Sequence, residues 1–129
     1  MVGILIVSHS KKAAEGVLEL AALMAPNIPI RAVGGTPDGG FGTSYDGICE
    51  SINELLSDDG VIVIGDIGST IMTARLLIDD MEDEWGDRVR LVDCPILEGA
   101  VAAAIAAAGG ADIDEVIAAA KEAGITHKL

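Results

Sequence analysis

His9 is the residue of this sequence best placed to do chemistry. It follows the apolar run Val2–Val7 and Ser8, and Ser10 directly after it is a predicted helix cap. In an open α/β sheet, ligands bind at the turns that lead from strands into helices. Histidine is a nucleophile near neutral pH, and the start of a helix favours an anion such as a phosphoryl group. We therefore predict a nucleophilic His9 in phosphoryl transfer; the alternative is a hydrogen-bonded histidine with no catalytic role.

Asp66 closes a second buried strand, Gly60–Gly65. A carboxylate at this place can accept a hydrogen bond from one ring nitrogen of His9, which would fix the tautomer and leave the other nitrogen free to attack phosphorus. Viewed alone, an Asp before Ile-Gly-Ser-Thr is more commonly the N-cap of a helix. Both interpretations of Asp66 stay open on the sequence.

A glycine-rich loop, residues 34–44, follows the second strand. Its small residues, among them Gly35, Thr36 and Thr43, present amides and hydroxyls that can cradle a phosphoryl group. The loop lacks the Gly-Lys-Ser/Thr of a Walker A motif, and no GxGxxG follows the first strand. The sequence therefore gives no support for a nucleotide site of either type.

Strands and helices alternate along the chain and must position these residues. Predicted strands are Val2–Val7, Ile28–Val33, Gly60–Gly65 and Arg88–Val92. Predicted helices run from the Ser10 cap to about Met24, from Thr43 or Ser44 to about Leu56, from the 66–70 turn to about Trp85, from about Leu97 to Ala108, and from an Asp112 capping box to Gly124. The pattern predicts one domain, residues 1–129, of the α/β class: a doubly wound, mainly parallel sheet of four to five strands with helices on both faces.

Composition excludes several classes of function. Half of the 129 residues are apolar but only three are aromatic, as in a sheet covered by helices, and the net charge is −13. Such an acidic chain is a poor partner for nucleic acid or an anionic membrane. Cys49 and Cys94 match no metal spacing and are expected to be free thiols. No signal peptide is visible and the Ala-rich stretch 100–108 is too short to span a bilayer, so we expect a cytoplasmic protein without a metal site.

Six short motifs together resemble one family. In order they are Ser8-His9-Ser10, Ala14-Glu15-Gly16, Gly34-Gly35-Thr36, Gly42-Thr43-Ser44, Asp66-Ile67-Gly68-Ser69 and Leu97-Glu98-Gly99-Ala100. The chain resembles the phosphotransfer subunits (DhaM) of phosphoenolpyruvate-dependent dihydroxyacetone kinases, which are related to the mannose-type IIA domains of the sugar phosphotransferase system. The resemblance covers essentially the whole chain.

The resemblance implies a phosphoryl carrier. His9 would be phosphorylated transiently, Asp66 would orient it, and Gly35, Thr36, Thr43 and Ser69 would line the phosphoryl pocket. The donor would be the phosphocarrier protein HPr, and the acceptor would be ADP, with Mg, on the kinase's nucleotide-binding subunit DhaL; the carrier itself would bind no cofactor. The resemblance also implies a homodimer. Because the sequence stops after the IIA-like region, we expect the donor to be a separate protein.

Three other functions are alternatives to this one. A mannose-type sugar IIA component would use the same chemistry with a sugar-transporting partner, but the Ser8-His9-Ser10 and Gly42-Thr43-Ser44 motifs look more like the dihydroxyacetone branch. A receiver-like module would need an acidic pair where Ser8-His9 stands. A regulatory or binding module of the same fold would show no histidine phosphorylation.

Overall fold

The computed structural model describes residues 1–129 and contains four strands and six α-helices. The strands are β1 (Gly3–Ser8), β2 (Ile30–Gly34), β3 (Val61–Gly65) and β4 (Val89–Val92). The helices are α1 (Lys11–Met24), α2 (Tyr45–Leu55), α3 (Gly68–Asp80), α4 (Glu82–Trp85), α5 (Ile96–Ala108) and α6 (Ile113–Glu122). All strands are parallel, in the order β2-β1-β3-β4. The predicted α/β class is confirmed, with four strands.

The sheet is buried on both faces because its strands alternate between two apolar cores. Ile4 and Ile6 of β1 pack in one core with residues of α1, α5 and α6. Leu5 and Val7 pack in the other core with residues of α2, α3 and α4. Each of these four side chains is almost completely buried, which contributes about 1.5–3 kcal/mol per side chain relative to exposure. Helices therefore cover both faces, as in doubly wound folds.

The order of the strands reverses between β1 and β3. From β1 the chain crosses to β2 on one side, and β3 then pairs with β1 on the other side. This topological switch point opens a crevice at the carboxyl ends of the two strands, which is where ligands bind in open α/β sheets. Val7 is paired with Gly65 there, so the residues that follow, including His9 and Asp66, enter the crevice together.

The predicted helix caps at Ser10 and Asp112 are present. The Ser10 side chain accepts a hydrogen bond from the backbone N–H of Ala13, and Asp112 and Glu115 form a reciprocal capping box. Of the two candidates for α2, Ser44 is the cap and accepts from Gly47 N–H. The caps at Ser10 and Ser44 set where α1 and α2 begin.

The prediction of one helix running to about Trp85 was wrong, because the helix breaks at Met81. Met81 leaves helical geometry, with φ −103° and ψ 16°, and α4 starts at the next residue. Glu82, Asp83 and Glu84 thereby lie in a first helical turn, where the dipole favours acidic side chains, rather than near a helix C-terminus, where it does not. Trp85 becomes buried, and its Nε1–H donates to Asn53 Oδ1 at 3.0 Å.

The second strand begins at Ile30, two residues later than predicted. Asn27 has a left-handed φ of 71° and Pro29 lacks a backbone N–H, so residues before Ile30 serve as a turn. None of the helices has the length and apolar character needed to cross a bilayer.

Candidate functional site

His9 and Asp66 lie side by side at the switch point. Nδ1 of His9 is 3.1 Å from Oδ1 of Asp66, and both side chains are about one-fifth exposed. The two residues are 57 positions apart in the chain and meet because β1 and β3 are hydrogen-bonded neighbours. The structure thus brings together the two residues predicted as nucleophile and orienting carboxylate.

The Asp66 carboxylate is held by several donors. Oδ2 accepts from the Ser8 hydroxyl at 2.6 Å and from the His9 backbone N–H at 3.0 Å, and Oδ1 accepts from Ile67 N–H at 2.7 Å. Burial raises the pKa of this carboxyl, but the hydrogen bonds from Ser8, the two backbone amides and the His9 ring outweigh it and hold the pKa well below its usual range. Asp66 is therefore a fixed anion beside the imidazole at neutral pH.

The alternative role of Asp66 as the N-cap of α3 is not what the structure shows. The residue at the cap is Ile67, and it makes no side-chain hydrogen bond to the helix. The first N–H groups of α3 consequently have no side-chain partner and point out of the helix end beside His9. Such a helix end attracts anions through its amides and its dipole.

Two hydroxyls of α3 contact the imidazole ring. Ser69 Oγ is within hydrogen-bond distance of Nε2, the nitrogen that Asp66 does not contact. Thr70 Oγ1 lies 2.8 Å from Nδ1, and 3.1 Å from Thr43 Oγ1 of the glycine loop. The ring is thereby bounded by an anion and a buried hydroxyl on one nitrogen and by a single serine hydroxyl on the other.

The glycine loop is joined to the strand end at several points. Gly42 N–H donates to the His9 carbonyl at 3.0 Å, and Gly35 N–H donates to the Ser8 carbonyl at 3.4 Å. Gly34 lies so close to the start of α1 that a Cβ would be 2.5 Å from the Ser10 carbonyl oxygen. The close approach explains the need for a residue without a side chain at this position.

The predicted pocket residues are divided between two places. Ser69 contacts the ring directly and Thr43 reaches it through Thr70. The Thr36 hydroxyl is instead bound to Asp38 and accepts from Gly40 N–H at 3.1 Å, so it closes a turn within its own loop. Gly35 has a left-handed φ of 74° at the start of that turn. The structure therefore brings Ser69 to His9, whereas the hydroxyl of Thr36 is used within the loop.

Sequence reasoning missed Thr70 and the role of the Ser8 side chain. Thr70 is fully buried in the first turn of α3, although its neighbours in sequence give no sign of a functional threonine. The only signal in the sequence is its position in the 66–70 turn, which follows a strand and so lies at the same edge of the sheet as His9.

The thiols and the acidic residues form no metal site. No group of three or more His, Cys, Asp or Glu side chains is arranged to hold an ion. Cys49 and Cys94 are free and half-buried. Burial, with a contribution from Asp93, raises the pKa of the Cys94 thiol to about 11, so this thiol is protonated and unreactive at neutral pH.

A protein-family model matches most of the chain. The model is EIIA-man, described as the PTS system fructose IIA component, and it aligns with residues 3–117. The chain belongs to the EIIA-man family. The aligned region contains all four strands, His9 and Asp66.

Curated relatives within this family carry the name that the six motifs suggested. A protein of Escherichia coli, "PEP-dependent dihydroxyacetone kinase, phosphoryl donor subunit DhaM", is 39% identical over 121 residues, which are 91% of this chain and 26% of the relative. A DhaM of Listeria innocua is 40% identical over 102 residues, 79% of this chain and 78% of the relative. One of Lactococcus lactis is 32% identical over 114 residues, 88% and 89% of the two chains. The chain thus spans about a quarter of the Escherichia coli relative and most of the two shorter ones.

Solved structures agree with the fold. A crystal structure of EF1359, described as a protein of unknown function, superposes with a TM-score of 0.85 at 35% identity and covers 97% of this chain and 96% of its own. A sigma-54 interaction domain protein from Enterococcus faecalis superposes with a TM-score of 0.69 at 15% identity, over 94% and 88% of the two chains, which shows the shared fold only.

Proposed function

We propose that this chain is the cytoplasmic phosphoryl carrier of a phosphoenolpyruvate-dependent dihydroxyacetone kinase. It accepts a phosphoryl group from HPr on His9 and passes it to ADP bound on DhaL, which then phosphorylates dihydroxyacetone. The observation that carries the proposal is the arrangement of the His9 ring: Nδ1 faces the Asp66 carboxylate at 3.1 Å, and Nε2 faces the end of α3. The names of the relatives supply the substrate system.

The first transfer uses the electron pair of His9 Nε2. This nitrogen attacks the phosphorus of the phosphorylated donor; the Nε2–P bond forms as the bond from phosphorus to the donor's nitrogen breaks, and that electron pair returns to the donor. The proton stays on Nδ1, so the ring gains positive character that the Asp66 anion offsets. Phosphoryl transfer has a loose transition state with charge on three equatorial oxygens, so positioning and hydrogen-bond donors supply most of the catalysis.

The end of α3 suits the oxygens of the transferred group. Its first amides have no side-chain cap, and Ser69 adds a hydroxyl at the nitrogen that would carry phosphorus. In the second transfer an oxygen of the ADP β-phosphate attacks phosphorus, the Nε2–P bond breaks, and its electron pair returns to the ring. ADP and Mg belong to the partner subunit in this scheme, and His9 needs no cofactor of its own.

A sugar phosphotransferase IIA component is the second candidate, because the matching family model is described as a fructose IIA component. The chemistry at His9 would be identical, and only the acceptor would differ. The name shared by the relatives favours the dihydroxyacetone kinase.

A comparison of two phosphoryl acceptors distinguishes the dihydroxyacetone kinase carrier from the sugar IIA component. The chain is phosphorylated with phosphoenolpyruvate, enzyme I and HPr, isolated, and mixed either with ADP-loaded DhaL or with a mannose-type IIB protein. Loss of the label to form ATP on DhaL supports the proposal, while loss only to the IIB protein moves the chain to the sugar branch. His9→Ala is the control and should take up no label.

We also propose a homodimer that uses the apolar groove between α1 and α5. The groove has a volume of about 470 Å³ and is lined by Leu20, Leu23, Met24, Leu97, Val101 and Ile105. Glu98 at its edge is paired with Lys128 at 2.7 Å, so this face carries little net charge in a chain with a charge of −13. A face of this kind is where two copies of so acidic a chain can approach each other.

A further inference from the structure

Two polar side chains of the molecule are fully buried, and both belong to the surroundings of His9. Ser8 is 1% exposed and Thr70 is 0% exposed. Ser8 donates to the Asp66 carboxylate at 2.6 Å, whereas Thr70 Oγ1 contacts the imidazole itself, 2.8 Å from Nδ1. Since burying a hydroxyl without a partner costs free energy, both hydroxyls need the hydrogen bonds that they make here.

The protons of this cluster can be assigned by counting donors and acceptors. Asp66 is an anion and can only accept, so Nδ1 of His9, at 3.1 Å from Oδ1, must carry the proton. That proton lies between Asp66 Oδ1 and Thr70 Oγ1, and the Thr70 oxygen therefore acts as an acceptor toward the ring. The hydroxyl proton of Thr70 must then be donated elsewhere.

Thr43 is the acceptor that remains. Its Oγ1 is 3.1 Å from Thr70 Oγ1, and the Thr43 hydroxyl makes no other side-chain hydrogen bond. The hydrogen bonds thus run in one direction, from His9 Nδ1–H to Thr70 and from Thr70 to Thr43. The bond from Nδ1 to Thr70 is shorter than the one to Asp66, by 0.3 Å.

We propose that Thr70 is a positioning residue for His9: its buried hydroxyl, oriented by Thr43, keeps the ring proton on Nδ1 and leaves Nε2 unprotonated, facing the Ser69 hydroxyl at the end of α3. The proposal rests on the carrier function proposed above and names the group that prepares the nucleophilic nitrogen. Asp66 supplies the charge, and Thr70 supplies a second fixed acceptor that prevents rotation of the ring about its bond to Cβ. Thr70 can do this because it lies in the first turn of α3 and is packed on all sides.

The test compares Thr70→Val, which keeps the shape and removes the hydroxyl, with Thr70→Ser, which keeps the hydroxyl. Thr43→Val removes the acceptor of the Thr70 proton at a less buried position. The ¹⁵N shifts of the His9 ring, read in the unphosphorylated protein, report the share of each tautomer. We expect wild type and Thr70→Ser to keep the proton on Nδ1 and Thr70→Val to lose part of that population. We also expect Thr70→Val to accept phosphoryl groups from HPr about fivefold more slowly, a fold-change that corresponds to the roughly 1 kcal/mol of one neutral hydrogen bond.

The controls separate the positioning role from structural damage and from the carrier function. Thermal unfolding identifies variants that fail to fold; if Thr70→Val is one of them, Thr43→Val must show the tautomer shift instead. An unchanged tautomer and rate in the folded valine variants, or a Thr70→Ser variant as slow as Thr70→Val, would overturn the proposal. The tautomer is measured without a donor, so a wild type that accepts no phosphoryl group contradicts the carrier function, while the hydrogen-bond assignment is judged by the ¹⁵N shifts alone.

Discussion

His9 and Asp66 are joined twice. The Asp66 carboxylate is 3.1 Å from Nδ1 of the His9 ring through Oδ1 and 3.0 Å from the His9 backbone nitrogen through Oδ2. The backbone contact holds the main chain of His9 in place, and the ring contact engages Nδ1 in a hydrogen bond. Together they leave Nε2 as the nitrogen available for bonding to phosphorus.

Replacing the Asp66 carboxylate by an amide should slow phosphorylation. In Asp66→Asn the charge beside Nδ1 is lost, and the amide group can present an N–H where the ring now donates. A hydrogen bond to a charged group contributes roughly 1.5–3 kcal/mol, so the rate of phosphoryl uptake from HPr should fall about 10- to 100-fold. Rapid-quench measurement of phosphoprotein formation checks this, and a rate within twofold of wild type would contradict the orienting role.

Acid should remove the stabilisation that Asp66 provides. Because its pKa in the folded chain is depressed, the folded state binds fewer protons than the unfolded state below the usual Asp value near 3.9. The contribution is therefore fully present above about pH 4 and is lost as the pH falls toward the folded pKa. Urea unfolding between pH 5 and 2 should show the stability difference between wild type and Asp66→Asn shrinking with acidification. A stability difference that stays constant over this range would contradict the depressed pKa of Asp66.

Alanine at Gly34 and alanine at Gly16 should change the stability of the fold in opposite directions. A Cβ on Gly34 would meet the Ser10 backbone at 2.5 Å, so Gly34→Ala should destabilise the fold by about 1–3 kcal/mol through overpacking. Gly16 in α1 has open space around it, and Gly16→Ala should stabilise by about 0.5–1 kcal/mol because alanine is the better helix former. Equilibrium unfolding in urea measures both, and equal effects of the two substitutions would contradict the described packing.

Phe41 should contribute to docking of the protein partners rather than to the chemistry. Its side chain is 84% exposed, next to Gly42, which donates to the His9 carbonyl. Aromatic side chains are enriched in the contact surfaces between proteins, and Phe41 belongs to the loop that is hydrogen-bonded to His9. Phe41→Ala should lower kcat/KM with HPr about tenfold and leave phosphorylation by a small phosphoramidate donor unchanged. An equal loss with both donors would show that Phe41 acts within the site instead.

Charge in the α1–α5 groove should separate the two copies of the proposed dimer. Leu23 is 76% exposed, so Leu23→Asp removes apolar surface without disturbing the core. Sedimentation equilibrium should give a dimer for wild type and a monomer for Leu23→Asp. Glu19→Asp, a conservative change at another exposed position of α1, is the matched control and should remain dimeric. A monomeric wild type would overturn the dimer proposal.

That His9 and Asp66 lie at the same edge of the sheet could be predicted from sequence, because it depends only on where the strands end. Two apolar runs of five to six residues predict parallel strands, and parallel strands deliver their following residues to one edge. That these two strands are neighbours, as β1 and β3 are, follows from the strand order and required the structure.

The role of Thr70 and the break at Met81 could not be predicted because both depend on packing. Thr70 is buried by the way α3 docks on the sheet, and a helical period does not reveal whether a threonine faces a histidine. Met81 interrupts a segment whose composition suits a helix on both sides, and the break brings Trp85 into the core. Tertiary contacts outweigh local propensity at such positions.

The most direct test of the proposed carrier function is the location of the phosphoryl group. The chain is incubated with phosphoenolpyruvate, enzyme I and HPr, and intact mass and peptide mapping at alkaline pH are compared for wild type and His9→Gln; ¹⁵N spectra of the labelled ring then identify the bonded nitrogen. We expect one acid-labile phosphoryl group per chain, on Nε2 of His9, and none on the variant. Phosphorylation on another residue, or none with an active donor, would contradict it.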